Sequence, residues 1–387
     1  MKFDPFKHQE RYSAWKELVT KQGIPELSAK NSKILLDYIF DMEYGINVSS
    51  KNKKGARSFT RLNNIRQRMT FLAKKFEELY KIQDITQISE RELHTFFSGM
   101  RNGTIKRVDG GNYKDPANFV KIFKSFWHWY QKVNRKNGKE ILDTTLDLDT
   151  SSEKPDWVYL TEDQIFKLCE TVIFKYKVLI MFLFDSGIRA PTELLNIKIS
   201  DFHNNFKELN IREEISKTFG RRIKLMLCSK LIKEYIETNH LTQDDFLFKM
   251  NPCNANEYLK LHGKKLFGDV KSPAGQKYSE LTMYDFRHNS CCYWLPRYKS
   301  ESALKYRFGW KKSEKIHYYS ELLGMSDTIN EDDMLIDLTK TEIERKLVKA
   351  ENEKDVLEER VELLEKQMKE ILKHAGEYEI IVKEEEE

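Results

Sequence analysis

The 387-residue sequence predicts a mainly α protein with a small β-sheet. Three observations predict this fold class. Apolar residues recur at alternating steps of four and three residues near 65–79 and 115–134, which is the spacing of one face of a helix. Two β-type segments, 209–215 and 222–227, flank a turn that contains Gly220 and indicate one hairpin. Most of the sequence after the hairpin has helical character, so we expect the sheet to be small.

The N-terminal part, residues 1–135, is expected to form a helical domain. The stripe of its first strong helix consists of Ile65, Met69, Leu72, Phe76 and Leu79. The stripe of a second helix consists of Phe119, Ile122, Phe126, Tyr130 and Val133. Ser89, followed three residues later by Glu92, is a capping-box pattern and predicts the start of another helix.

A basic face accompanies the first of these helices. The sequence contains no Asp or Glu from Gly45 to Phe76. The cations on the face opposite the apolar stripe are Arg57, Arg61, Arg66, Arg68, Lys74 and Lys75. A lysine-rich helix face is often only a solvated surface. So long a stretch without an acid favours a face that binds the phosphate backbone of DNA.

Charge is distributed unevenly along the chain. Residues 1–150 contain 28 Lys and Arg against 18 Asp and Glu, and residues 151–330 contain 28 against 23. Residues 331–387 contain 10 against 20, so an acidic tail masks a basic body. Basic surfaces attract phosphate polymers by counterion release, which predicts a nucleic-acid partner.

The sequence predicts a cytoplasmic protein that does not enter a membrane. No apolar run follows the N-terminal MKFDPFKHQERYS, so we expect no signal peptide. The most apolar stretch, residues 171–184, is too short to span a bilayer and contains two lysines, which favours a buried helix. The five cysteines include no C-x-x-C pair, which predicts reduced thiols and no structural zinc site.

The rest of the chain is expected to comprise a linker, a second domain and a coiled coil. Residues 136–154 lose the apolar periodicity and predict a linker. Thr161 and Gln164 form a second capping-box pattern, which opens a domain over 155–328. Residues 331–380 predict a C-terminal coiled coil or, alternatively, a single amphipathic helix packed on the body. The heptad positions are Ile336, Ile343, Ala350, Leu357, Leu364 and Ile371, matched by Leu347, Lys354, Val361 and Met368.

Four short stretches carry residues suited to phosphodiester chemistry. They are SGIRAPTELL (186–195), ISKTFGRRIKL (215–225), YDFRHNSCCYWL (284–295) and FGWKKSEKIHYYSEL (308–322). Arginine forks bind phosphate oxygens, a lysine can protonate a leaving oxygen, and a tyrosine can form a covalent ester. This set needs neither a metal nor ATP, and the sequence contains no Walker loop and no H-E-x-x-H motif.

In order and spacing these stretches resemble the catalytic domain of the tyrosine recombinases, the phage-integrase and Xer family. The resemblance spans about residues 155–323 and implies an α+β catalytic domain after a helical core-binding domain, whose last helix the segment 119–134 resembles. It implies that Arg189, at a helix start, and Arg287 bind the scissile phosphate and that Tyr319 is the nucleophile. It selects Lys217 as the hairpin lysine among competing cations that include Arg221.

Three positions depart from the family's pattern. Tyr284 stands where histidine is common, and it can donate a hydrogen bond or pass a proton, so the identity of the general base stays open. Trp310 stands where many relatives have histidine, and its N–H can donate to a phosphate oxygen but cannot move a proton. Glu193 lies four residues after Arg189 rather than three, so its role as an orienter also stays open. The resemblance implies a structural role for His288.

The resemblance implies a site-specific DNA recombinase that works through a 3′-phosphotyrosyl intermediate without a cofactor. It would bind double-stranded DNA with inverted half-sites, with four protomers on paired sites. One alternative is a type IB topoisomerase-like enzyme, which the predicted coiled coil disfavours. Another is a DNA-binding paralogue that does not cleave, which only Tyr284 and the shifted Glu193 support.

Overall fold

The computed structural model describes residues 3–48, 54–152, 154–298, 300–314 and 316–323, with five single residues of the tail at 357, 360, 361, 364 and 368. The helices are α1 (His8–Gln22), α2 (Ala29–Tyr44), α3 (Phe59–Tyr80), α4 (Glu90–Asn102), α5 (Ala117–Lys136), α6 (Glu162–Thr171), α7 (Phe174–Ser186), α8 (Ser229–Thr238), α9 (Pro252–Phe267), α10 (Met283–Trp294), α11 (Glu301–Phe308) and α12 (Ile316–Leu322). The strands are β1 (Phe202–His203), β2 (Glu208–Ile211) and β3 (Arg221–Lys224), and they form one antiparallel sheet in the order β1-β2-β3. The predicted mainly α fold with a small sheet is confirmed.

Helices α1 to α5 surround the first of the hydrophobic clusters. The apolar stripe of α3 is buried from Ile65 to Phe76, as predicted. The prediction for Leu79 is wrong, because this residue lies in the last turn of α3 and is 51% exposed. The capping box that opens α4 is present, since Ser89 and Glu92 each accept a hydrogen bond from the other's backbone N–H.

The segment that follows α5 contains neither helix nor strand, but it packs along that helix. The Trp127 indole donates to the carbonyl of Leu142 at 2.9 Å, and Leu148 is buried in the first cluster. Residues 1–323 form one compact unit. The division of this unit into two domains and a linker therefore stays a prediction.

Helix α7 is the centre of the second hydrophobic cluster. Every residue from Val178 to Ser186 is buried, which confirms the predicted buried helix. The capping box at Thr161 and Gln164 is present at the start of α6. Near the end of α7, the Asp185 carboxylate lies 3.0 Å from Nη2 of Arg307, and both side chains are almost completely buried.

The hairpin is shorter than the sequence predicts. Ile211 pairs with Arg221, so the strands stop there and residues 212–220 form the connection. Ile215 is buried in the second cluster instead of pairing with β3, which explains why β2 ends early. Strand β1 was not predicted, because two residues are too few to show an alternating pattern.

The described helices include none that is long and apolar enough to cross a membrane. All five cysteines are free. The predicted coiled coil lies outside the described residues, except for five positions. Of these, Leu357, Val361, Leu364 and Met368 are helical and between 52% and 62% exposed.

Candidate functional site

Arg189 lies on the turn that follows α7 and is held by Glu193. Its Nη1 lies 2.6 Å from Oε1 of Glu193, and its backbone N–H donates to Oε2 at 2.9 Å. The turn continues as a short 3-10 helix, Leu194–Asn196, so the expected α-helix start at Arg189 is wrong. Pro191 explains this, because it lacks an N–H and disfavours helical backbone at the residue before it. Glu193 thus contacts Arg189 despite the different spacing.

Arg221 is the second cation on Glu193. Its Nη2 donates to Oε2 of Glu193 at 2.8 Å, and its Nε donates to the carbonyl of Arg307 at 2.8 Å. Both side chains of the pair are completely buried. Burial alone would raise the pKa of Glu193, but the hydrogen bond and charge of Arg221 and the charge of Arg189 lower this pKa to about 2. Glu193 is therefore a carboxylate that holds two arginines.

Arg287 projects from α10 into the same region. Its guanidinium donates to the carbonyl of Gly187 and, at 2.6 Å, to that of Phe308. Arg189 donates to the next carbonyl, that of Gly309, at 2.8 Å. Burial and the positive charge of Arg189 lower the pKa of Arg287 to about 10. The positive charges of Arg189 and Arg287 repel each other, and an anion such as a phosphate bound between them would stabilise both.

Lys217 and Tyr284 stand at the surface of the site. Lys217 lies in the connection between β2 and β3 and is exposed, with no hydrogen-bond or ion-pair partner among the described residues. The adjacent Thr218 hydroxyl donates at 2.8 Å to the carbonyl of Gly309, which also accepts from Arg189, so this connection is joined to the site. Tyr284, in the first turn of α10, is 42% exposed. Both side chains are exposed to solvent.

Tyr319 is buried on α12 between aromatic rings. It stacks on Trp310 with ring centroids 5.9 Å apart and an interplanar angle of 4°, and it meets Trp157 edge-on. Its hydroxyl lies 2.7 Å from Nδ1 of His288. Burial raises the pKa of Tyr319 well above its ordinary value. A cavity of about 330 Å³ opens beside Tyr319 and His288.

Of the site residues predicted in the second half of the chain, Arg189, Arg287, Trp310 and Tyr319 are brought together by contacts, whereas Lys217 is connected to them only through its neighbour Thr218. Arg287 lies with its guanidinium carbon 5.8 Å from the ring centroid of Trp310, and Trp310 stacks on Tyr319. The sequence identified Arg221 only as a cation that competes with Lys217, and its buried contact with Glu193 was not predicted. The alternating burial of β3, with Arg221 and Ile223 inside and Arg222 and Lys224 outside, is the signal that could have found it.

The predicted basic face of α3 is less uniform than its sequence. Arg66 and Arg68 lie over the rings of Trp15 and Phe119, at 5.0 and 5.1 Å from the ring centroids. Arg61 is exposed, and Arg57 precedes the helix. The two lysines are engaged in ion pairs, Lys74 with Glu26 and Lys75 with Glu78. The acids that pair with the lysines come from outside the acid-free stretch, which is why the sequence did not reveal them.

No family model and no curated protein matches the sequence. Solved structures do match. The Tn1549 transposon integrase in complex with transposon right end DNA aligns over 82% of this chain and 99% of its own, with a TM-score of 0.54 and 14% identity. A lambda integrase dimer bound to a COC′ core site aligns over 82% and 84%, with a TM-score of 0.54 and 12% identity.

The XerH site-specific recombinase bound to a palindromic difH substrate aligns over 68% of this chain and 77% of its own, with a TM-score of 0.51 and 14% identity. Identities this low show a shared fold rather than a shared activity. Within this fold, Arg189 and Arg287 donate to the backbone carbonyls of residues 309 and 308, and Tyr319 stacks on the side chain of Trp310. The chain therefore has the fold of the tyrosine recombinases.

Proposed function

We propose that this protein is a site-specific DNA recombinase that cleaves and rejoins strands through a 3′-phosphotyrosyl intermediate. One observation carries the proposal. Arg189 and Arg287 donate to the consecutive carbonyls of Gly309 and Phe308, and the next residue, Trp310, stacks on Tyr319. A phosphate that replaces part of these contacts would be bound by two arginine forks beside a tyrosine.

Each polar group of the site then has a role in cleavage. The oxygen of Tyr319 bonds to phosphorus while the bond from phosphorus to the 5′ oxygen breaks. Lys217 donates a proton to that leaving oxygen, which needs one because its pKa is high. The indole N–H of Trp310 and the hydroxyl of Tyr284 donate to phosphate oxygens. The phosphotyrosyl ester conserves the energy of the broken bond, so rejoining needs neither ATP nor a metal.

The partner in this proposal is duplex DNA with inverted half-sites. Support comes from the basic body of the chain and from the DNA-bound states of the Tn1549 integrase, lambda integrase and XerH structures. We assign the cations of α3 to backbone contacts. We also propose that four protomers assemble on paired sites and that their tails pair as coiled coils through the exposed stripe that contains Leu357 and Val361.

The contact between Glu193 and Arg189 weakens the alternative of a non-cleaving paralogue. That alternative had two supports in the sequence, and the different spacing of Glu193 was one of them. Only Tyr284 now favours it. A topoisomerase-like enzyme would share the chemistry of the site but would relax supercoiled plasmids without exchanging strands.

Covalent capture tests the proposal without knowledge of the target sequence. The full-length protein is incubated with a randomised pool of DNA duplexes, and DNA that stays attached in denaturing detergent is recovered and sequenced. We expect a defined set of duplexes, each linked through its 3′ phosphate to Tyr319. Tyr319→Phe should trap none, whereas Tyr318→Phe, the matched control, should trap the same set. Adducts formed by Tyr319→Phe, or none formed by the unchanged protein, would refute the proposal.

A further inference from the structure

His288 lies within hydrogen-bonding distance of the proposed nucleophile. Its Nδ1 is 2.7 Å from the hydroxyl oxygen of Tyr319. Tyr284, which holds the position that the family's pattern gives to a base, makes no hydrogen bond to any residue in the described part of the chain. We infer that His288, rather than Tyr284, is the general base that takes the proton of Tyr319. The inference rests on the proposed function and adds a catalytic residue to it.

The proton transfer balances without a further reactant. In the tautomer with its proton on Nε2, the neutral imidazole accepts a hydrogen bond at Nδ1 from the Tyr319 O–H. As the tyrosine oxygen bonds to phosphorus, that proton moves to Nδ1 and His288 becomes an imidazolium. The 5′ oxygen leaves with a proton from Lys217. In rejoining, the 5′ hydroxyl attacks phosphorus, Lys217 recovers its proton, and His288 returns its own to Tyr319.

Two aromatic contacts orient the imidazole and suit the charge that it acquires. The ring of His288 stacks on Trp157 with centroids 4.9 Å apart and an angle of 27°. Tyr284 meets the same ring nearly at right angles, with centroids 5.2 Å apart. An aromatic face attracts a cation at such distances, so Trp157 stabilises the imidazolium. Tyr284 thus contributes to the site by packing against the base as well as by facing the duplex.

Tyr319 needs a base, because burial raises its pKa and the neighbouring Cys291 adds to this effect, while Arg287 opposes it. Among the described residues, the other titratable or charged groups around His288 lie on α10, on α12 and in the segment that precedes α6. They are Tyr284, Arg287, Cys291 and Cys292 on α10, Tyr318 and Glu321 on α12, and Lys154 and Asp156 in the preceding segment. Imidazole is the side chain that ordinarily titrates between pH 5 and 8. An inflection of the cleavage rate with pH that disappears in a His288 variant would therefore report on His288.

The test compares the pH dependence of cleavage in two histidine variants of the full-length protein. The substrate is a duplex recovered by covalent capture, nicked so that the cleaved strand end diffuses away. The unchanged protein should form its adduct faster as pH rises through an inflection, because only a neutral imidazole can accept the proton. His288→Ala should slow adduct formation about 10²-fold or more, lose the inflection and regain rate in added imidazole. His317→Ala, an exposed histidine two residues before Tyr319, should keep the inflection.

Three outcomes would overturn the inference. These are a wild-type rate in His288→Ala, a retained inflection, or a loss that is equal at every pH and insensitive to imidazole. If His288→Ala does not bind the duplex, His288→Gln replaces it, because an amide can still contact the Tyr319 hydroxyl but cannot accept its proton. Full activity of His288→Gln would equally overturn the inference. Absence of any adduct with the unchanged protein would instead refute the proposed function.

Discussion

Glu193 and Arg221 form an ion pair with 2.8 Å between Oε2 and Nη2, and neither side chain is exposed. The pair joins the turn that carries Arg189 to strand β3. From there, Nε of Arg221 reaches the carbonyl of Arg307, close to the backbone that Arg189 and Arg287 share. One buried carboxylate therefore connects the parts of the chain that hold the phosphate-binding side chains.

Removal of Arg221 should be costly for stability. Arg221→Met leaves Glu193 buried with one cation instead of two, and breaking a buried ion pair costs about 3–5 kcal/mol. Urea denaturation should show a loss of this size in the free energy of unfolding. The matched control is Arg222→Met, because Arg222 is half-exposed and pairs with Glu208 at the surface. Its loss should stay under about 1 kcal/mol. Equal losses in the two variants would contradict a supporting role for the buried pair.

The same pair predicts a dependence of stability on acid. The pKa of Glu193 is lowered from 4.5 to about 2 in the folded protein. Its ionised form therefore stabilises the fold above pH 4.5, and this contribution is lost as pH falls towards 2. In Glu193→Gln the free energy of unfolding should be lower at neutral pH and should fall less between pH 4.5 and 2. Glu213→Gln, which changes an exposed carboxylate on the connection between β2 and β3, should keep the wild-type slope.

Replacing the leaving 5′ oxygen by sulfur can distinguish the proposed proton-donor role of Lys217 from the roles of the other groups in the site. A 5′ sulfur in place of the bridging oxygen leaves without needing a proton, because a thiol is far more acidic than an alcohol. Lys217→Ala should cleave the ordinary duplex about 10²-fold more slowly and the sulfur-containing duplex at nearly the wild-type rate. Lys224→Ala, an exposed lysine on the adjacent strand, is the control and should cleave both at the wild-type rate. A defect of Lys217→Ala that persists on sulfur would exclude the proton-donor role.

The fold and much of the site were predictable because their signals are local. Capping boxes at Ser89 and Thr161, and the apolar run of α7, depend on residues a few positions apart. The burial of Arg221 depends on Glu193 and Arg307, which are far away in the sequence. The contact of His288 with Tyr319 likewise joins two residues that lie 31 positions apart, on different helices. Alternation within β3 can place Arg221 on the inner face of the strand, but a pattern within one element cannot reveal which distant residues a side chain contacts.

The cations of α3 should contribute unequally to DNA binding. Each phosphate contact adds about 0.9 to the slope of log affinity against log salt. Changing Arg61 and Arg68 to Ala should flatten this slope by up to about 2. Changing Lys74 and Lys75 to Ala should flatten it less, because both lysines already pair with acids. The measurement is affinity for a captured duplex over a series of salt concentrations. Equal slopes in the two double variants would indicate that the basic face of α3 is only a solvated surface and does not bind the DNA backbone.

The tail should drive self-association before DNA is bound. Leu357, Val361, Leu364 and Met368 are helical, at least half exposed and spaced as the core positions of a coiled coil. Proteins that stay monomeric rarely expose a continuous apolar strip, so we expect the tail of a second copy to pack against this stripe and bury it. Sedimentation of the full-length protein should show a concentration-dependent oligomer, which Leu357→Lys with Leu364→Lys should dissociate. Arg360→Ala, on the flank of the stripe, should weaken the oligomer only slightly.

Strand cleavage provides the second half of this test. The described contacts that position Arg189, Arg287 and Tyr319, such as those with Gly309, Phe308 and His288, join residues that precede the tail in the sequence. Deletion of 331–387 should therefore leave adduct formation on a single duplex at its wild-type rate. The same deletion should weaken cooperative binding to paired sites, and it should tighten binding to non-specific DNA because it removes a net negative segment. Tails that pair with a Kd of about 1 µM would be almost fully associated at a protein concentration of ~100 µM. A full-length protein that sediments as a monomer at ~100 µM would therefore support the alternative of a single helix docked on its own body.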